Sequence, residues 1–445
     1  MTLRPVGLIE KLFRIFRENF SPLGIRTFRI YLSGQAISLV GTWLQVAAQG
    51  WVVWELSQSK TALGILGMLS SLPILLLGPI AGVWADRWDR RKLLIGTQAT
   101  AMVLAFILAV LVQTRLVQLW HVYVLAALLG TVAAIDVPAQ QAFLGDLAGV
   151  QQVRRAVNLN NMILQVSRMV GPATAGFIIG QLGTAPAFWL NGLSFMAVIA
   201  SLIAVGTHQM QMRSNRQSGG FGEALRYLGA QPRLQDLFIF VVLMTFFAFP
   251  IIQILPAVAS EVLRGDAQTL GLLMGASGAG ALIGSVFLVP VAQSLKRPGV
   301  VVSITVLWVG AWFTAISFAR SQPLAMFTLF MGSLGAPIVI TMALGLIQVL
   351  APMEMRARLL SLFLMVSFGV QPIASLLIGL SADAFGTEMA ILGNGLLMIL
   401  GALTVMLVRS ELRHWEVLPP AAPDATPQSA SNPGPKMSET PIGAD

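Results

Sequence analysis

The sequence predicts an all-α polytopic membrane protein: twelve transmembrane helices in two pseudo-symmetric six-helix bundles. Three observations lead there. The apolar share is too high for a chain that faces water, the apolar runs number twelve at membrane-crossing length, and the cations alternate with those runs. Hydrophobic residues make up 56% of the 445 positions and charged residues only 11%, with a mean hydropathy of +0.78. Most side chains must therefore face lipid or other buried helices.

A hydrocarbon core about 30 Å thick needs about 20 residues of helix. Runs of that length fall near 30 to 54, 62 to 84, 93 to 113, 118 to 140, 158 to 181 and 185 to 206, then near 236 to 259, 268 to 292, 299 to 319, 323 to 350, 359 to 382 and 387 to 408. The Lys and Arg residues test this count independently, because cytoplasmic loops collect them. With the N-terminus inside, the inner segments hold Arg4, Lys11, Arg14, Arg17, Arg26 and Arg29 before the first span, and Arg87, Arg90, Arg91 and Lys92 after the second. They go on with Arg154 and Arg155, with Arg213, Arg216, Arg226 and Arg233 in the centre, then Lys296, Arg297, Arg356, Arg358, Arg409, Arg413 and Lys436. The outer loops hold only Lys60, Arg115, Arg264 and Arg320, and Arg168 is left inside a span. A miscounted helix would invert this alternation. The expectation is a multi-pass protein of the plasma (bacterial inner) membrane with both termini cytoplasmic.

The longest interior polar stretch divides six spans from six. The predicted units are an amphipathic cytoplasmic segment over 1–29, bundles over 30–206 and 236–409 joined by a cytoplasmic linker over 207–235, and a disordered tail over 410–445, rich in Pro, Ala and Ser. Short matches cross the divide: Leu63-Gly64 with Leu270-Gly271, Gly171-Pro172 with Gln371-Pro372, and Asn191-Gly192-Leu193 with Asn394-Gly395-Leu396. Parallel repeats of this kind place a substrate path between the halves.

Composition also limits the chemistry. The chain has no Cys, and His121, His208 and His414 are too scattered to form a ligand cluster. No metal or cofactor is expected. Nor is nucleic acid, because the cations are not gathered on a soluble face. No GxxxxGK[ST] run exists for ATP, so energy should come from an ion gradient. An enzyme would need a nucleophile and base, or a metal cluster, near the midplane, and none is visible. The short loops likewise offer nothing to a receptor or scaffold. Gly275, Gly278, Gly280 and Gly284 follow no strand and suit close helix packing.

Ionisable groups inside spans are functional candidates. Asp136 and Arg168 fall in the fourth and fifth. Either they form an ion pair that locks those helices, or Asp136 exchanges a proton and Arg168 tunes it. Gln35, Ser38, Thr42, Gln45 and Gln49 lie at steps of three and four on one face of the first span. Asn158, Asn161, Gln165 and Arg168 do the same in the fifth, leading to Gly171, Pro172 and Gly176. The two faces suggest a wet cavity, or bridges between helices. Thr245, Phe247, Phe249 and Gln253 add a weaker lining from the seventh span.

The loop after the second span reads Gly82-Val83-Trp84-Ala85-Asp86-Arg87-Trp88-Asp89-Arg90-Arg91-Lys92. Asp86 can cap a helix N-terminus or pair with Arg90, and the cations hold the loop inside. This loop resembles the G-x-x-x-D-R-x-G-R-R pattern of the major facilitator superfamily: Gly82, Asp86, Arg87, Arg90 and Arg91 match, and Asp89 stands at the second glycine. The variant is similar to the branch that holds the bacterial enterobactin exporter and the macrolide efflux pumps. Ile135 to Phe143 resembles that branch's D-x-P-A-R-Q-A-F segment, with Gln140 in place of Arg. Ser167 to Gly176 resembles its R-x-x-G-P-x-x-A-G run. The resemblance implies the major facilitator fold, a cytoplasmic latch containing Asp86 and Arg90, and rocking of the two halves. It implies a monomeric, proton-coupled exporter of small amphiphilic organic molecules such as drugs, macrolide-like compounds or siderophores. An importer or a lysophospholipid-type flippase is the alternative on the same scaffold. The expected partners are a small-molecule substrate, protons and membrane lipid.

Overall fold

The computed structural model describes residues 20–149, 151–206 and 221–409, and of 79–87 and Phe221 the backbone only. Twelve described helices are long and apolar enough to cross a membrane. In the first half they are α1 (Arg26–Ser57), α2 (Lys60–Arg87), α3 (Arg90–Gln113), α4 (Leu119–Ala148), α5 (Val153–Leu182) and α6 (Ala185–Val205). In the second they are α7 (Pro232–Val262), α8 (Ala267–Ser294), α9 (Pro298–Ile316), α10 (Gln322–Leu350), α11 (Met353–Phe385) and α12 (Thr387–Val408). A linker helix, Phe221–Ala230, precedes α7. Residues 1–19, 207–220 and 410–445, which hold most of the amphipathic segment, part of the linker and the tail, lie outside the described residues.

Helices are the natural solution here because lipid offers no partner to a backbone N–H or C=O. Their ends follow local chemistry. Asp89 caps α3, accepting from the backbone N–H of Arg91 at 3.0 Å and of Lys92 at 3.1 Å. Gly183 and Gly386 end α5 and α11 at φ 82° and 91°, a conformation costly for any residue with a Cβ, so the α5–α6 and α11–α12 turns match across the halves. The breaks inside helices sit in the second half. α7 passes through a wide turn at Met244–Ala248 and a tight one at Phe249–Ile254, around Pro250. α10 is interrupted between Ser333 and Ala336, ahead of Pro337, and α11 between Gly369 and Gln371, ahead of Pro372. Proline removes a donor and crowds the preceding turn.

The packing repeats as the sequence does. In the first half α2 packs on α4, and α3 on α6; in the second α8 packs on α10, and α9 on α12. The short sequence matches occupy equivalent places. Gly192 of α6 lies against Phe106 of α3, and Gly395 of α12 against Thr314 of α9. The halves meet along two seams, α5 with α8 and α2 with α11, which the repeat interchanges. Gly64 and Gly271, from the first matched pair, each sit in one seam.

Candidate functional site: the seam between the halves

Both seams are tight at the end opposite the described termini. A Cβ on Gly271 would lie 2.5 Å from the carbonyl oxygen of Pro172, and one on Gly176 2.7 Å from that of Ala267. In the other seam a Cβ on Gly64 would stand 2.5 Å from the carbonyl oxygen of Ser375, and one on Gly379 at the same distance from that of Lys60. Nothing but glycine allows backbones this close, the usual way for lipid-embedded helices to gain contact.

Polar contacts seal the same end. Asp383 of α11 reaches across the halves to the start of α2, accepting from the backbone N–H of Lys60 at 3.0 Å, that of Thr61 at 2.8 Å and the Ser59 hydroxyl at 2.7 Å. Ser59 caps the helix from within, accepting from the Ala62 N–H at 3.2 Å, and the other half supplies the acceptor for the two N–H groups before it. Lys60 Nζ pairs with Glu261 at 2.6 Å, and Glu261 accepts from the Thr387 hydroxyl at 3.0 Å.

Towards the termini the same helical faces become exposed. On α5, Gly176 and Pro172 are buried against α8, whereas Asn161 and Asn158, farther along the stripe, are exposed. On α11, Gly379, Ser375 and Pro372 are buried, but Phe368, Met365 and Ser361 are exposed. The apolar core divides correspondingly. One cluster runs through both halves, while Phe28, Tyr31, Leu94, Phe143 and Leu202 form a separate one at the termini end of the first half. The two halves are joined at one end and splayed at the other.

The expected site residues distribute unevenly over this frame. Asp136 and Arg168 do not pair. Asp136 accepts from the Thr97 hydroxyl at 2.6 Å, from Gln98 Nε2 at 3.0 Å and from Gln140 at 3.2 Å, which ties α4 to α3. Arg168, one position round α5 from the seam, faces α1, its guanidinium 5.2 Å from the centre of the Trp43 ring. The ion-pair alternative is corrected because uncharged donors already satisfy the carboxylate.

The α1 stripe turns into its own bundle. Gln45 accepts from Asn191 of α6 at 2.6 Å, Gln49 donates to the Val122 carbonyl of α4 at 3.5 Å, and Gln35 and Ser38 are buried. Helical periodicity placed these side chains on one face without saying what that face meets. Thr42 donates to the Ser38 carbonyl of its own helix. Thr245 is fully buried, its hydroxyl bonded to Val241 one turn back. Gln253 does reach the seam, lying against Gly67 beside Ser375, and Phe249 is half-buried. Gly171 packs on Trp43 and Val40 of α1 rather than across the seam.

In the loop motif, Arg90 Nη1 binds both carboxylate oxygens of Asp146 at 2.7 and 2.8 Å, and Arg91 donates to the Leu202 carbonyl at the end of α6 at 2.7 Å. Gly82, Asp86 and Arg87 are helical in α2; their side chains lie outside the described residues. Sequence reasoning missed Asp146, Trp43, and the Lys60, Glu261 and Asp383 network. Acids and bases near helix ends carry no signal of which loop they will meet.

A family model described as transmembrane secretion effector, of the major facilitator type, matches residues 17–435. The chain belongs to the major facilitator superfamily. Its relatives in that superfamily include the multidrug efflux pump Tap of Mycolicibacterium fortuitum, 24% identical over 83% of this chain and 92% of that protein. The macrolide efflux protein A of Streptococcus pyogenes is 22% identical over 90% of this chain and all of that protein. The staphyloferrin A transporter of Staphylococcus aureus is 24% identical over 58% of this chain, the match spanning 66% of that relative. Among solved structures, an inward-facing, occupied bacterial homologue of the human lysosomal transporter Spinster matches with a TM-score of 0.72 at 12% identity, covering 89% of this chain and 99% of that one. The twelve helices and these relatives point to a multi-pass membrane protein; the family and the relatives named are membrane transporters, efflux proteins among them, and not enzymes.

Proposed function

We propose that this major facilitator protein exports small amphiphilic organic molecules by alternating access, in exchange for protons. The observation that carries the reading is the seam, sealed at one end by Asp383, Lys60 and Glu261 and open at the other. With the cation-rich loops cytoplasmic, the open end faces the cytoplasm, the state in which an exporter loads its cargo. The efflux relatives support this direction. Asn158, Asn161 and Gln165 line the opening, and Gln253 lies deeper in the seam. Asp136 carries the proton: three uncharged donors hold its carboxylate without a fixed cation, so protonation changes both the charge and the α3–α4 contact. The chain works as a monomer in the plasma membrane.

Inverted membrane vesicles with an imposed proton gradient test the reading. Accumulation of at least one labelled amphiphile from a panel of cationic, neutral and anionic compounds, dissipated by an uncoupler and missing from vesicles without the protein, is the expected result. A growth-inhibition panel across antibiotics and siderophores, in a deletion and overexpression pair, narrows the substrate. Net uptake by right-side-out vesicles, or transfer of lysophospholipid alone, overturns export.

A further inference from the structure

Arg168 sits at the middle of α5, where the seam begins to open. One position on, Met169 packs its backbone against α8: a Cβ on Gly278 would lie 2.6 Å from the Met169 Cα. One turn back, Gln165 is half-buried, and Asn161 beyond it is exposed. Arg168 is itself half-buried as a residue. Its guanidinium has the Trp43 ring on one side, 5.2 Å away, and no described carboxylate lies within ion-pair distance. Asp136, the acid within the neighbouring span, is satisfied by Thr97, Gln98 and Gln140, and Asp146 at the end of that span is bound by Arg90.

A guanidinium at mid-membrane is costly without an anion, and cations in spans line pathways and meet partners there. The ring supplies cation–π attraction, no described residue is seen to accept from the fork of N–H donors, and that fork matches an oxyanion in two-point geometry. The aromatic face beside it suits an apolar or aromatic body next to the anion. We infer that Arg168 and Trp43 form an oxyanion-recognition site at the apex of the opening, and that the cargo carries a carboxylate or phosphate on an apolar body. This inference rests on the opening being the substrate path and sharpens the cargo class from amphiphilic to anionic amphiphilic.

The test is binding, so it does not depend on the direction or coupling of transport. Purified full-length protein in detergent is titrated with 2-naphthoate, with its neutral counterpart 2-naphthamide, and with lysophosphatidate, by calorimetry. Expected are binding of 2-naphthoate at least 10-fold tighter than of 2-naphthamide, loss of that preference in Arg168→Gln, and partial recovery in Arg168→Lys. Trp43→Leu should weaken naphthoate several-fold while leaving the charge preference. Should lysophosphatidate alone depend on Arg168, the oxyanion site stands and its source is a lipid headgroup. Equal binding of 2-naphthoate and lysophosphatidate by the parent and a correctly folded Arg168→Gln, or binding of neither by the parent, overturns the proposal. If Arg168→Gln does not fold, Arg168→Lys and Trp43→Leu still decide it, since unchanged affinity in both refutes the site. Failed transport with intact Arg168-dependent binding counts against the export reading and not against this one.

Discussion

At the scale of single residues, the buried polar groups divide by the partners they meet. Among the described residues Asp136 meets only uncharged donors, so Asp136→Asn keeps the side-chain size and most of the hydrogen bonds while removing a titratable charge. The expected outcome is transport that no longer responds to an imposed proton gradient, with downhill exchange retained; unchanged gradient-driven accumulation in vesicles would remove Asp136 from the coupling role. Arg90 and Asp146 hold α3 to α4 through side chains 17% and 19% exposed. Asp146→Ala is expected to cost about 1.5–3 kcal/mol, the range of hydrogen bonds to charged groups. The double variant with Arg90→Ala should lose less than the sum of the two single losses. Strict additivity in detergent unfolding would show that the pair is not coupled. Asp89 accounts for its own departure from the family pattern: where the motif has glycine, it caps α3.

The element scale is governed by α2 and α11. Asp383 accepts the first two N–H groups of α2 from the opposite half, so those groups have this carboxylate as a partner only when that end is closed. Losing a cap costs about 1–2 kcal/mol, a factor of about 5–30 in the balance between states. Asp383→Ala should therefore populate a conformation open at the sealed end. The absence of native Cys makes this easy to read: Ser375→Cys, buried in the parent seam, should react with a small maleimide several-fold faster in the Asp383→Ala background. Equal rates would assign Asp383 a local role only. The breaks in α7, α10 and α11 give the second half the helices most able to bend, whereas the clearest polar stripes are in the first.

For the whole molecule, orientation is the decisive quantity, since it says which side of the membrane the opening faces. Cys placed at Arg115, between α3 and α4, should react with a membrane-impermeant maleimide in intact cells, while Cys at Trp88, between α2 and α3, should react only after permeabilisation. The reverse pattern would invert the topology and with it the direction assigned to the opening. Two seams related by the repeat open at the same end, as expected for bundles rocking as bodies rather than for one displaced helix.

The number of spans, the division into two halves and the transporter family were legible in the sequence. Each depends on a quantity summed over many residues, namely hydropathy against bilayer thickness, loop charge and short repeated motifs, so that no single contact decides it. The partners of individual side chains were not legible. Helical spacing placed Gln45 and Gln49 on one face, but only the packing of α1 against α6 and α4 turned that face into internal bridges. The acid and the guanidinium on neighbouring spans suggested a pair, yet Thr97 and Gln98 reached Asp136 first and left Arg168 to Trp43. Lys60, Glu261 and Asp383 are separated by about 200 and 120 residues in the chain, and only folding brings them together. Short-range order follows from periodicity along one helix; a site between two bundles depends on how the helices cross, which periodicity does not contain.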